Sequence, residues 1–169
     1  ILYGLFGYTF FVIQCALGFS LISSALTLAI MVLPVIIRST EEALFTVPNS
    51  YREGSLALGA SKLTTLLRVV LPCAIPGILS AIILSMGRVM GETAAVYYTA
   101  GTMAKAPQSI YSSTRSLAVH LYLLVKEGLN SGEAFATATI LIVIIVGLNA
   151  LASFIAKRLS RRLTGGKAI

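Results

Sequence analysis

Apolar and polar positions along this chain fall into long blocks rather than alternating residue by residue. Leu2–Ile13 is apolar and aromatic, short for a full crossing, and predicts a truncated or tilted helix. Leu17–Ile37 is a better span, uncharged and closed by Arg38, with Pro34 placed to kink it near its end. A polar interruption covers residues 38–72. Ile75–Thr99 is the next apolar span, and it carries Arg88 and Glu92. Residues 100–133 form a second polar connection, within which Leu117–Gly128 has the apolar and basic mix suited to lying in a membrane interface. Ala134–Ala156 is the last span, followed by a basic tail over 157–169. The pattern predicts an all-α, multi-pass transmembrane bundle, with no internal repeat.

Composition supports that solvent assignment. The chain is 57% hydrophobic and 11% charged, with a mean hydropathy of +0.91. A soluble domain of 169 residues needs more polar surface than this. The net charge of +7 would suit nucleic acid, but five of the 13 basic residues (Lys157, Arg158, Arg161, Arg162, Lys167) follow the last span, where they mark a cytoplasmic flank. No nucleic-acid partner is expected. Cys15 and Cys73 are far apart and read as small apolar residues. The chain starts at Ile1 without a basic leader, so a piece of a longer protein is expected.

Lysine and arginine in the loops set the orientation. Arg38, Arg52, Lys62 and Arg68 lie in the first polar loop, while Lys105, Arg115 and Lys126 lie in the second. Two spans separate the first loop from the tail, so both share a side, and the charge bias makes that side the cytoplasm.

The cytoplasmic loop contains YREGSLALGASKLTTLLRVVLP, residues 51–72. Ser50 with Glu53 three residues later predicts a capping box. Gly59 predicts a helix end at positive φ. Lys62–Val70 resumes an amphipathic pattern that Pro72 should limit. Helix, glycine elbow and helix would make a compact knob. An ordinary cytoplasmic connector has the same periodicity.

Spacing adds a second argument. Glu53-Gly54-Ser55, three residues, Gly59, nine residues, then Val69-x-Leu71-Pro72 resembles the EAA motif of ABC importer permeases. Gly54, Ser55 and Val69 depart from the family pattern, the first two staying small; Glu53, Gly59, Leu71 and Pro72 match it. The resemblance implies that residues near 49–60 are a coupling helix that docks into an ATPase subunit.

In the following span Gly77, Ala81, Ser85, Arg88 and Glu92 fall at helical spacing and predict one stripe, with Gly87 and Gly91 as a close-approach pair beside it. Measured from Pro76, Arg88 lies about 18 Å along the axis, near mid-membrane. A charge there costs about 2.5–3.5 kcal/mol on insertion scales. Two readings are open: an Arg88–Glu92 ion pair that holds the bundle together, or a cationic station on an anion's path with Glu92 holding or releasing the guanidinium. Intramembrane ions are functional by default, which favours transport. The pair is neutral overall, so an anion path needs further positive groups, as from a partner subunit.

Gly87-Arg88-x-x-Gly91-Glu92-Thr93-Ala94, YGLFG (3–7), LTLAIMVLP (26–34) and RSTEEALFTVP (38–48) are similar to the permease subunits of the phosphate importer. SLAVHLYLLVKEG and AFATATILIV favour its PstA-type subunit over the PstC-type. The resemblance covers the whole chain but only the C-terminal part of a six-span permease. It implies phosphate import with a PstC-like second permease, a cytosolic PstB-like ATPase dimer that carries ATP, and an external PstS-like phosphate-binding protein, in a prokaryotic plasma membrane. A permease for molybdate or sulfate is an alternative, as is a non-transporting membrane scaffold, though a scaffold has no use for Arg88.

Other candidates are weaker. His120 has no ligand-spaced neighbour and reads as an ordinary amphipathic position. Glu41-Glu42 reads as a solvated helix N-terminus, and Tyr97, Tyr98 and Tyr122 as interfacial aromatics, the first two near an outer mouth. The basic tail is an anchor or binds anionic lipid. There is no P-loop pattern and no nucleophile–base pair, so neither catalysis nor a resident cofactor or metal is expected.

Overall fold

The computed structural model describes residues 1–128 and 131–163, the last five as backbone. Among these the chain is helical without strands. The elements are α1 (Leu2–Gly7) running into a π-helix (Tyr8–Gln14), α2 (Leu21–Phe45), α3 (Asn49–Ala57), α4 (Lys62–Thr65) continuing through a π-helix (Leu66–Val70) into α5 (Leu71–Met90), α6 (Ala94–Thr99), α7 (Leu117–Glu127) and α8 (Ser131–Leu163). Leu21–Phe45, Lys62–Met90 and Ser131–Arg158 are long and apolar enough to cross a membrane; Leu2–Gln14 is apolar but shorter. The tail predicted over 157–169 lies outside the described residues from 164 on.

Several boundaries differ from the sequence expectation. α2 starts at Leu21 because the chain turns through Ala16 and Gly18, both at positive φ, and the Ser20 hydroxyl accepts from the Ser23 amide in a capping geometry. It then runs past Arg38 to Phe45. Nothing in RSTEEALF breaks a helix, and the stop comes only at Phe45, just ahead of Pro48, whose ring disfavours the α region for the residue before it. Glu41 and Glu42 therefore sit in the last turns of α2, not at a helix start. The dipole is unfavourable for them there, and Arg38 offsets it with an ion pair to Glu41 at 3.2 Å.

Pro72 likewise does not end its helix. The turn before it opens to π geometry, with the Leu71 amide bonding the Leu66 carbonyl five residues back. A wide turn makes room for the pyrrolidine ring and removes the need for the amide that proline lacks. The expected single helix Ile75–Thr99 is instead two, broken at residues 91–93.

Two compact units result: Ile1–Leu33 with Gly87–Gly147, and Pro34–Met86 with the chain from Leu148 on. In the first, α1 lies against α6 so closely that a Cβ on Gly4 would stand 3.0 Å from the Ala95 Cα. Val96, Ala100 and Val119 form its core, with Leu28, Tyr97 and Leu123 around them. Loop 101–116 folds back onto this unit: the Ser113 hydroxyl donates to the Ala100 carbonyl at 2.7 Å, and the Ile22 amide donates to Ile110 at 3.1 Å. In the second unit Ala43, Val47, Val70 and Ala74 make the core. A Cβ on Gly77 would come within 2.7 Å of the Ala43 Cβ, so glycine there lets α5 approach α2.

Candidate functional site

The chain between α2 and α5 forms the knob. α3 begins after Pro48 with no side-chain cap, so the expected capping box between Ser50 and Glu53 is not formed. Pro48 itself takes the entry position with an extended backbone. At the other end the Gly59 amide donates to Leu56 at 2.9 Å and the Ala60 amide to Ser55 at 3.2 Å, with Gly59 at φ +83°. This is a Schellman motif, and it needs a residue at ease in the left-handed region. The Ser61 hydroxyl then caps α4 by accepting from the Thr64 amide.

Two braces that sequence reasoning missed hold the knob. The Ser55 and Thr65 hydroxyls pair at 2.9 Å, tying α3 to α4. Arg52 Nη2 donates to the Leu44 carbonyl at 2.8 Å, closing one of the free carbonyls at the end of α2. Hydroxyls ten residues apart and a guanidinium eight residues from its acceptor leave no periodic trace. α3 buries none of its own residues, and Leu58 just beyond it is 91% exposed. Glu53 and Gly54 are exposed, and nothing lies within 4 Å of a Cβ on Gly54 or Gly59. Leu71 and Pro72 are half-buried at the start of α5, away from that open surface.

The second group of predicted residues is separated rather than paired. Arg88 lies in the last turn of α5, exposed, with no hydrogen bond or ion pair among the described residues. Glu92 lies in the break, where its Oε1 accepts from the Ala95 amide at 3.1 Å and caps α6. The i,i+4 pair therefore does not form, because the helix that would supply the spacing ends at Met90. Each charge instead sits at the helix end whose dipole favours it. The continuous helix starts at Lys62, which puts Arg88 about 39 Å along it, longer than a hydrocarbon core of about 30 Å. Ala81 and Ser85 do lie buried on one face, and the Ser85 hydroxyl has no partner. Gly91 meets no neighbouring helix within 4 Å. His120 is half-buried with a shielded, unpartnered Nδ1, and Tyr97 packs edge-on to both Tyr98 and Tyr122.

Comparison with known proteins gives the family. Residues 1–165 match the family described as the binding-protein-dependent transport system inner membrane component. The chain is 34% identical to the probable ABC transporter permease protein YqgI of Bacillus subtilis, over 97% of this chain and 61% of that one. It is 35% identical to the phosphate transport system permease protein PstA of Mycobacterium leprae, over 88% of this chain and 51% of the relative. With PstC 1 of Mycobacterium tuberculosis it shares 34% over 85% of this chain and 45% of the relative. The chain thus spans about half to three-fifths of the length of these relatives. No solved structure matches it. An all-helical chain with membrane-length apolar helices, matched over nearly its whole length, belongs to the family of inner membrane permease components of binding-protein-dependent ABC transport systems.

Proposed function

We propose that this chain forms part of the permease of an ATP-driven phosphate importer, of the PstA type. Its α3 knob would dock a cytosolic ATPase, and the α5–α6 break would lie on the anion's path. The observation that carries the docking half is α3 itself: a short helix with no buried residue, braced from behind by Arg52 and Ser55 and closed by a rigid glycine turn. A free surface on a stiff mount transmits motion as a rigid body instead of absorbing it. For the path, Arg88 supplies an unpaired guanidinium beside a helix break whose following N-terminus Glu92 already fills. An oxyanion arriving there would find the cation without a bonded partner, while Glu92 keeps its negative charge, so further positive groups from a partner subunit would still be needed. The sequence similarity to phosphate permeases supports phosphate over molybdate or sulfate. ATP would be bound and hydrolysed by the partner, and the cargo would be delivered by an external binding protein.

The test is labelled phosphate uptake by cells whose full-length gene is replaced by variants. Gly59→Val places a β-branched residue at φ +83° and should abolish uptake and ATPase co-purification together. Arg88→Gln should lower uptake at least tenfold with assembly intact. Survival of both ATPase co-purification and coupled hydrolysis in Gly59→Val removes the docking role. Unchanged uptake in Arg88→Gln removes Arg88 from the path.

A further inference from the structure

Behind the exposed side of α3 lies a cavity of about 280 Å³, lined by Arg52, Leu56, Lys62, Thr65, Leu66 and Val70. Its chemistry is divided. Arg52 and Lys62 bring two cations, and Leu56, Leu66 and Val70 bring an apolar wall. One end of the guanidinium is used, since Nη2 donates to the Leu44 carbonyl. The Nε hydrogen-bonding position is shielded from solvent and has no partner. Lys62 makes no hydrogen bond or ion pair among the described residues. Thr65 is spoken for by Ser55.

Position narrows the occupant. α2 ends at Phe45 and the next membrane-length helix starts at Lys62, so the cavity lies where two apolar helices finish. At 1.5 Å per residue α2 is about 37 Å long, which exceeds a hydrocarbon core of about 30 Å and carries its end into the headgroup layer. A volume of about 280 Å³ is small for a drug-sized ligand, and suits a headgroup with its first carbons. An anion with an apolar continuation satisfies both halves of the lining; a free oxyanion would leave the leucine and valine wall unused.

We infer that this cavity is a binding site for an anionic phospholipid, its phosphodiester held by the Arg52 guanidinium and Lys62 and its glycerol and upper acyl carbons lying against Leu56, Leu66 and Val70. An arginine guanidinium attracts a phosphate oxygen, and lysine adds a point charge. The lipid would wedge α3 against the start of the α4–α5 helix, so the bilayer itself would stiffen the knob. This goes beyond the import reading and does not depend on which anion is carried.

The test uses the full-length permease within its complex, solubilised in mild detergent, with phosphatidylglycerol and phosphatidylcholine added in turn and retention read by native mass spectrometry. The expected result is at least about fivefold preference for phosphatidylglycerol, with Arg52→Gln lowering retention about tenfold, the loss of one charge-assisted contact. Arg52 also holds Leu44, so a second variant is needed. Leu66→Trp leaves both cations and fills the cavity, and should lose the lipid equally. Equal retention of the two lipids overturns the assignment. So does displacement of phosphatidylglycerol by millimolar inorganic phosphate, which would make this a site for the free anion. Variants that keep the lipid but lose the ATPase would give the cations to a protein interface and overturn it too.

Discussion

At the scale of single residues, the close approaches are set by what is missing. Gly7 in α1 sits against Thr27 of α2, and a Cβ there would overlap the threonine hydroxyl, methyl and Cβ at once. Thr27 cannot retreat easily, because its hydroxyl donates to the Ser23 carbonyl at 2.7 Å and the side chain is 1% exposed. Gly7→Ala should therefore destabilise the protein by about 1–3 kcal/mol, the range for overpacking a filled core. Thermal unfolding of the purified full-length chain checks this, and Thr27→Ala in the same protein should recover most of the loss. Absence of any recovery would place the strain elsewhere. The two residues stand twenty apart in the chain, so no local pattern announces the contact; only the packing of α1 on α2 creates it.

Elements show where local preference and tertiary demand compete. Gly59 was legible because a left-handed helix stop is a local requirement, set by φ of one residue. The capping box at Ser50 and Glu53 was a local signal too, yet Pro48 starts α3 two residues sooner and moves both out of register. Pro72 gives the sharpest case. Read alone it ends a helix, but the π turn at Leu66–Val70 absorbs it and α4 runs on into α5 as one continuous helix. Replacing it tests this joint. Pro72→Ala permits an ordinary α turn, which removes one residue's worth of widening and rotates the knob by about 100° relative to α5. Uptake should fall about tenfold while the protein still reaches the membrane. Wild-type uptake would show that the π turn does not set the knob's orientation.

For the whole molecule, solvent is the deciding term. The apolar window of α8 buries none of its residues within the chain, and Phe135, Ile142, Val143, Val146 and Leu151 all stand exposed. A helix apolar on every side is stable only with lipid or another apolar subunit around it. A charge on that surface should be expensive: Val143→Arg should cost about 2.5–3.5 kcal/mol on an insertion scale. A membrane-insertion assay of the α8 segment reads this as a fall of more than tenfold in the ratio of inserted to uninserted chain. Insertion at the wild-type level would mean that residue 143 does not face the hydrocarbon.

The all-helical class, the apolar blocks, the glycine stop and the membrane as solvent were determined by the sequence alone. Each depends on composition or on neighbours within a few residues, and such terms are summed locally. The tertiary structure decided the rest. It broke the Arg88–Glu92 spacing at residues 91–93, extended α2 past its charged end, carried a helix through Pro72, and brought Ser55 to Thr65 and Arg52 to Leu44. The physical reason is common to all of these. A backbone group left without a partner, or a side chain without room, is resolved by whatever the fold brings near, and nearness in space is not written as a period along the chain.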